Sequence, residues 1–283
     1  TGSGSVNWLW SFGDSGTANT EQTTHTYGNA GTYSVLLLST TVDGCVDSLR
    51  KNAQVNDVPN TDYTFTNVCN GNALSFLNQT TVAGSVVYTW DFGDGTATSN
   101  AVSPTHLYST FGQYSVLLVA VSDSGCVDSV RKTVTVYERA QPDFSAPPVC
   151  LNQATNFVNQ TPSGTFTVQT WDWNFGDGSS SAVNQPTHAY AAVGDYWVIL
   201  SVTTTNGCTD SVQHTVTVNE LPTVNSQTTD ESCYNLRDGT ISLSPTAGAV
   251  PLTYLWSDGA FSEDRNNLSA GSYSVTFTDQ NGC

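Results

Sequence analysis

Three kinds of residue in this chain could do chemistry: histidine, aspartate set between glycines, and cysteine. His25, His106 and His188 are candidate ligands or general bases. Each stands two residues before a tyrosine (Tyr27, Tyr108, Tyr190) in a repeated phrase, His-x-Tyr-x-x-x-Gly-x-Tyr. Three identical active sites are a poorer reading of that recurrence than one structural corner written three times. The turn aspartates Asp14, Asp94 and Asp177 close a second phrase, Trp-x-Phe-Gly-Asp, that begins at Trp10, Trp90 and Trp173. With Asp91 and Asp172 they form two pairs, Asp91/Asp94 and Asp172/Asp177, that are candidates for calcium. Calcium takes six to eight oxygens, usually from carboxylates close in sequence. No Asp-x-Asp-x-Asp-Gly loop is present, and turn formation alone accounts for Gly-Asp-Gly. Gly13-Asp-Ser-Gly16 offers a serine in a glycine-flanked turn, the setting of an acyl-transfer nucleophile. The other copies hold Gly-Asp-Gly there and no suitable base accompanies it, so it reads as a turn.

Cysteine follows the same rhythm. Gly-Cys-(Val/Thr)-Asp-Ser recurs at Cys45, Cys126 and Cys208, roughly every 80 residues. A chain written in such units is a string of similar modules. Seven cysteines at fixed module positions suit oxidised cross-links in an exported protein. The 283 residues carry 24 acidic and 7 basic side chains, a net charge of −17. That excludes nucleic acid and anionic membrane as partners, because few cations face phosphate. Only 11% of residues are charged, so Ser, Thr, Asn, Gln and Gly must carry the surface. Apolar runs such as Val35–Leu38 are strand-sized, far short of a span, and argue against membrane insertion. Met is absent even at position 1, which reads as a processed chain or an excerpt.

The elements that must position these residues are strands. Tyr114-Ser-Val-Leu-Leu-Val-Ala-Val and Thr133-Val-Thr-Val-Tyr alternate or run apolar over strand lengths, and no stretch holds a helical stripe. Regular Gly, Asn and Asp turns predict an antiparallel sandwich, all-β and immunoglobulin-like. Alternation places Trp8 with Trp10, Tyr88 with Trp90 and Trp171 with Trp173 on one face, which favours core filling over a sugar platform. Trp197 and Phe261 fall outside that pattern and read as exposed. His214 stands alone and reads as strand surface.

These phrases resemble the PKD domain family over about residues 1–220. Ser15 departs from the pattern by replacing a turn glycine, and Ser11 and Asn174 by replacing an aspartate. Asp238-Gly-Thr-Ile-Ser-Leu, Trp256-Ser-Asp-Gly259 and Asn267-Leu-Ser-Ala-Gly271 resemble the SprB repeat, over residues 222–283. That family occurs in large surface adhesins of gliding bacteria with type IX secretion. Both resemblances imply extracellular sandwich modules without enzymatic activity. The expected division is 1–56, 57–137, 138–220 and 221–283. The first module lacks its opening strands and the last its closing strand, which reads as an excerpt or, alternatively, as subunits lending strands to one another. Short Pro-marked linkers at Pro59, Pro142 and Pro222 predict a semi-rigid, elongated array. The corner tyrosines would bond backbone, as in immunoglobulin-like domains.

In that topology the first-strand cysteines (Cys69, Cys150, Cys233) and the hairpin cysteines (Cys45, Cys126, Cys208, Cys283) lie at opposite poles, roughly 25 Å apart. A disulfide needs Cα atoms within about 7 Å. The expectation is therefore pairing across modules, Cys69–Cys208 and Cys150–Cys283. The alternative is Cys69–Cys126 and Cys150–Cys208 within modules. Asp-Ser-aliphatic at Ser48, Ser129 and Ser211 resembles the O-glycan acceptor of exported proteins in the same bacterial group. The alternative there is a plain strand start. The expected function is a non-catalytic structural segment of a secreted adhesin, stalk or filament. Its partners would be neighbouring modules, further copies in fibres, and polysaccharide or surfaces. The runner-up is an accessory spacer or carbohydrate-docking region of an extracellular hydrolase.

Overall fold

The computed structural model describes residues 6–283, all of them strand, turn or loop, with no helix among the described residues. The chain divides into two compact units, Thr1–Tyr137 and Glu138–Cys283.

In the first unit, residues 57–137 make a complete sandwich. One sheet orders Val68–Cys69, Val127–Tyr137, Gly112–Ser122 and Val86–Asp91. The other orders Tyr63–Phe65, Leu74–Asn78 and Thr105–His106. The period of two decides which side chains meet between the sheets. Trp90, Val116, Leu118, Ala120 and Val134 come from one face and Tyr63, Leu74 and Phe76 from the other. The two long strands are joined by Ser122-Asp-Ser-Gly-Cys126. Gly125 takes φ +80°, and the Gly125 amide donates to the Ser122 carbonyl at 2.9 Å. The two-residue strand Val68–Cys69 pairs parallel with Val136–Tyr137. It is too short for any periodicity to reveal. Residues 6–55 form a single sheet in the order Thr17–Ala18, Val6–Ser11, Gly31–Thr41, Val46–Val55.

In the second unit, residues 138–220 repeat the sandwich. A five-stranded sheet orders Val149–Cys150, Thr209–Asn219, Gly194–Thr204, Val168–Asn174 and Ser180–Ser181. Two short pairs face it, Phe144–Ser145 with Val158–Asn159 and Ala154–Asn156 with Thr187–Ala189. The last module pairs Thr223–Thr229, Gly239–Ala247 and Arg265–Leu268, with Thr253–Trp256 against Val275–Thr278. Its core is thin, with Leu243, Tyr254 and Trp256 at its centre.

Candidate functional site

The two repeated phrases meet at one corner, three times over. The Trp-x-Phe-Gly-Asp strand ends in a turn that requires glycine. A Cβ on Gly93 would sit 2.5 Å from the Ser115 carbonyl oxygen, and on Gly176 2.6 Å from that of Trp197. This close approach aims the next residue, Asp14, Asp94 or Asp177, at the histidine phrase. His25 Nε2 meets Asp14 at 2.7 Å, His106 meets Asp94 at 2.7 Å, and His188 meets Asp177 at 2.7 Å. Each imidazole stacks on the motif phenylalanine, with centroids 4.1, 4.0 and 4.3 Å apart for Phe12, Phe92 and Phe175. Each also meets the corner tyrosine edge-on. Tyr27, Tyr108 and Tyr190 donate to the carbonyls of Phe12, Phe92 and Phe175 at 3.0, 3.1 and 3.2 Å. Trp10, Trp90 and Trp173 donate Nε1–H to the carbonyls of Thr20, Ala101 and Val183. Trp90 and Trp173 are fully buried, and Trp10 is half-buried.

The electrostatics follow from the geometry. Partial burial alone would raise the Asp177 carboxyl. Hydrogen bonds from Ser179 and His188 outweigh it and bring the pKa down to about 2. Asp94 is lowered in the same way, by Thr96 and His106 against burial. Burial raises the Tyr108 and Tyr190 phenols, so they stay neutral donors. Because Asp177 prefers ionisation in the fold, its contribution to stability is present above about pH 4 and is lost as pH falls through about 2. Discounted for solvent screening at this exposed residue, it amounts to about 1 kcal/mol. Asp177→Asn is therefore expected to melt earlier than wild type at pH 6, with the gap closing toward pH 2. Scanning calorimetry of the two chains at both pH values checks it.

This corner is not arranged as a nucleophile relay. Ser179 Oγ lies 2.5 Å from Asp177 Oδ1 and 3.2 Å from His188 Nε2, the same nitrogen the carboxylate holds. A nucleophile relay needs serine and carboxylate on opposite imidazole nitrogens. The calcium candidates already have other partners. Asp94 and Asp177 spend both oxygens on Thr96 or Ser179 and on the histidine. Asp91 accepts from the Gly93 amide, and Asp172 lies exposed on its strand. No cluster of three acidic, histidine or cysteine side chains suited to a metal occurs among the described residues. Gly13-Asp-Ser-Gly16 is a turn in which the Gly16 amide donates to Asp14 Oδ1 at 2.9 Å. Ser15 sits at φ +73°, where the other copies place Gly95 at +78° and Gly178 at +94°. Left-handed backbone costs a non-glycine residue about 1 kcal/mol. Ser15→Gly is expected to recover that amount, read as a higher denaturation midpoint for the first module.

Further partners escaped the sequence reading. His214 lies exposed on its strand, as expected, and there its Nε2 meets Asp143 at 2.8 Å and its ring meets Phe144 edge-on. Lys132 does the same work in the preceding module, 2.5 Å from Asp62 and 2.6 Å from the Tyr63 carbonyl. In the last module Asp258 occupies the turn position, but its partner is an arginine. Arg265 reaches it through two nitrogens at 2.8 and 2.6 Å and lies over the Trp256 ring. The guanidinium lowers the Asp258 carboxyl to about 2. Trp256 Nε1–H donates to the Ser262 carbonyl at 2.8 Å, as its counterparts donate to loop carbonyls.

Cys150 and Cys283 are joined, with Cα atoms 5.6 Å apart. Cys150 lies beside Asn219 at the exit of its module, and Cys283 in the hairpin of the next. The alternative pairing within modules is therefore corrected. Cys150 is not bonded to Cys208, and Cys126 carries a free thiol, so it is not bonded to Cys69. The physical reason is that the parallel pairing of Val149–Cys150 carries the first-strand cysteine to the exit pole, away from its own hairpin. Ser48, Ser129 and Ser211 are exposed, each near the start of the strand after its hairpin. Trp197 and Phe261 are 63% and 74% exposed.

Residues 1–57, 56–137 and 140–220 each match the sequence model of the PKD domain, and residues 225–261 that of the SprB repeat. A microbial collagenase of Vibrio alginolyticus is 49% identical over 49 residues, 17% of this chain and 6% of the collagenase. The pre-pro-metalloprotease PrtV of Vibrio cholerae is 31% identical over 145 residues, 49% of this chain and 16% of that protein. The chain thus spans well under a fifth of these relatives, and the similarity lies in their PKD regions. Among solved structures, the PKD1 domain of Vibrio anguillarum Epp is 28% identical, covering 30% of this chain and 99% of that domain, with a TM-score of 0.27.

Proposed function

Given that the chain belongs to the PKD domain family, three tandem domains followed by a SprB repeat, we propose that it is a non-catalytic, extracellular structural segment. It holds a larger surface protein at a set reach, as part of an adhesin, stalk or filament. The observation that carries this reading is the Cys150–Cys283 bond, which ties one module to the next. A cross-link of that kind resists pulling and hinge motion, properties a spacer needs and a catalyst does not. The corner residues support it too, since their carboxylates, imidazoles and phenols are spent inside each module. Repeat equivalence extends the same offset to Cys69 and Cys208. Ser48, Ser129 and Ser211 are proposed O-glycan acceptors, and a glycopeptide mass at Ser129 tests that assignment. Fibres of further copies, polysaccharide and solid surfaces are the proposed external partners.

A second reading is favoured by the collagenase and metalloprotease relatives: accessory modules that space or dock an extracellular protease. Electron microscopy of the native protein separates the two. Surface fibres with a period near one module support the stalk reading. A monodisperse secreted protein with protease activity supports the accessory reading, and a cytoplasmic location overturns both.

A further inference from the structure

The third module breaks the repeat at two positions on one face. Just after each Gly-x-Tyr stand Ser34, Ser115 and Trp197, and five residues after each hairpin cysteine stand Arg50, Arg131 and Gln213. In the first two modules these residues bond each other. Arg50 donates to the Ser34 hydroxyl at 3.0 Å, and Arg131 to the Ser115 hydroxyl at 3.3 Å. In the third module both partners are replaced together: the cation is gone and an indole stands in the open. Of the seven tryptophans, Trp197 alone is exposed. The fold has no need of a ring there. The turn glycines Gly93 and Gly176 press on the backbone of Ser115 and Trp197, not on their side chains.

The surroundings of the indole define a ligand. Alternation turns Trp197 outward together with Asp195 and Ile199. On one side Asn174 lies opposite Ile199, and on the other Gln213 and Thr215 lie opposite Ile199 and Trp197. All three polar residues are exposed. Asn174 Oδ1 accepts from the Gly176 amide at 2.9 Å, which leaves its Nδ2 hydrogens for another acceptor. The charged groups on the face are Asp172 and Asp195. Arg139 is the one Lys or Arg between residues 138 and 220. It donates to the Thr209 carbonyl at 3.4 Å, six residues and roughly 20 Å along the strand from Thr215. An anionic ligand would therefore meet carboxylates with no cation to offset them. A neutral pyranose chain fits. Its rings turn weakly positive C–H groups toward the negative indole face, and its hydroxyls lie at the edges, where the amides stand.

We propose that this face is a binding platform for a neutral β-1,4-linked polysaccharide, with Trp197 stacked on one sugar ring and Asn174 and Gln213 holding its hydroxyls. A flat ribbon of that kind suits an open sheet face. The inference rests on the reading above in taking polysaccharide as an external partner, and adds the residues that touch it and the sugars that fit.

The test is co-sedimentation of the whole chain with microcrystalline cellulose and with chitin, using cellohexaose and chitohexaose as soluble competitors. Wild type should bind one of the two matrices at least tenfold more tightly than Trp197→Ser, and the matching hexaose should release it. Serine stands at this position in the other modules, so the variant keeps its fold. Gln213→Ala, which leaves the ring in place, should weaken binding several-fold. The same hexaose should slow oxidation of Trp197 by N-bromosuccinimide several-fold, read by peptide mass. Binding unchanged by Trp197→Ser, or binding to neither matrix, overturns the proposal. So does tighter, salt-sensitive binding to alginate. Loss of self-association alone in Trp197→Ser also overturns it and makes the face a contact between copies. Each of these results leaves the extracellular segment reading standing, because that reading fails on cellular location instead.

Discussion

Trp173→Ala is expected to cost the third module about 4 kcal/mol and to melt it ahead of its neighbours. The indole is fully buried, with ring centroids 5.0 Å from Phe144 and 5.3 Å from Phe157. Truncating a buried tryptophan removes its transfer free energy and leaves a cavity, about 3–5 kcal/mol together. The Val183 carbonyl also loses the indole N–H that it accepts at 2.9 Å, worth about 1 kcal/mol. A module of about 80 residues holds only about 4–12 kcal/mol in all, so the loss is a large fraction of the whole. Calorimetry of the full chain should show one transition moved down while the others stay. Trp197→Ala is the control: that side chain is 63% exposed and its loss should move nothing by more than about 1 kcal/mol. Equal effects at the two tryptophans would refute the core assignment.

Cys150→Ser is expected to release the last module. With the third module folded, the bond closes a loop of about 60 residues, from the exit at Asn219 to Cys283. Chain-entropy reasoning values that closure at about 4 kcal/mol. The last module depends on it more than its neighbours would, because its buried core centres on Leu243, Tyr254 and Trp256 alone. The variant should show early, separate melting of residues 222–283 and rapid proteolysis confined to them. Unchanged melting and protection would mean that the bond adds nothing to the fold.

Much of this architecture was legible before any coordinates. The strand patterns at Tyr114–Val121 and Thr133–Tyr137 fall inside the strands Gly112–Ser122 and Val127–Tyr137, because alternation and Gly turns are local signals. The corner was legible as a recurrence. Its internal bonding was not: nothing in the spacing says that Asp94 turns to His106 in preference to a metal. The glycine turn against the Ser115 backbone decides that. Lys132 with Asp62, and His214 with Asp143, are partners about 70 residues apart on facing strands, beyond the reach of any sequence window. Arg265 as the counterpart of the histidines was missed because the last module spaces its motif differently.

The sequence by itself determined the number of modules, their strand character and which residues recur as a set. These follow from periodicity and turn chemistry that act between near neighbours. Only the tertiary structure decided which carboxylate meets which partner and which cysteine reaches the exit edge. Those outcomes depend on how one sheet lies over another. Side chains far apart along the chain compete for the same few ångströms there, and local pattern carries no record of which one wins.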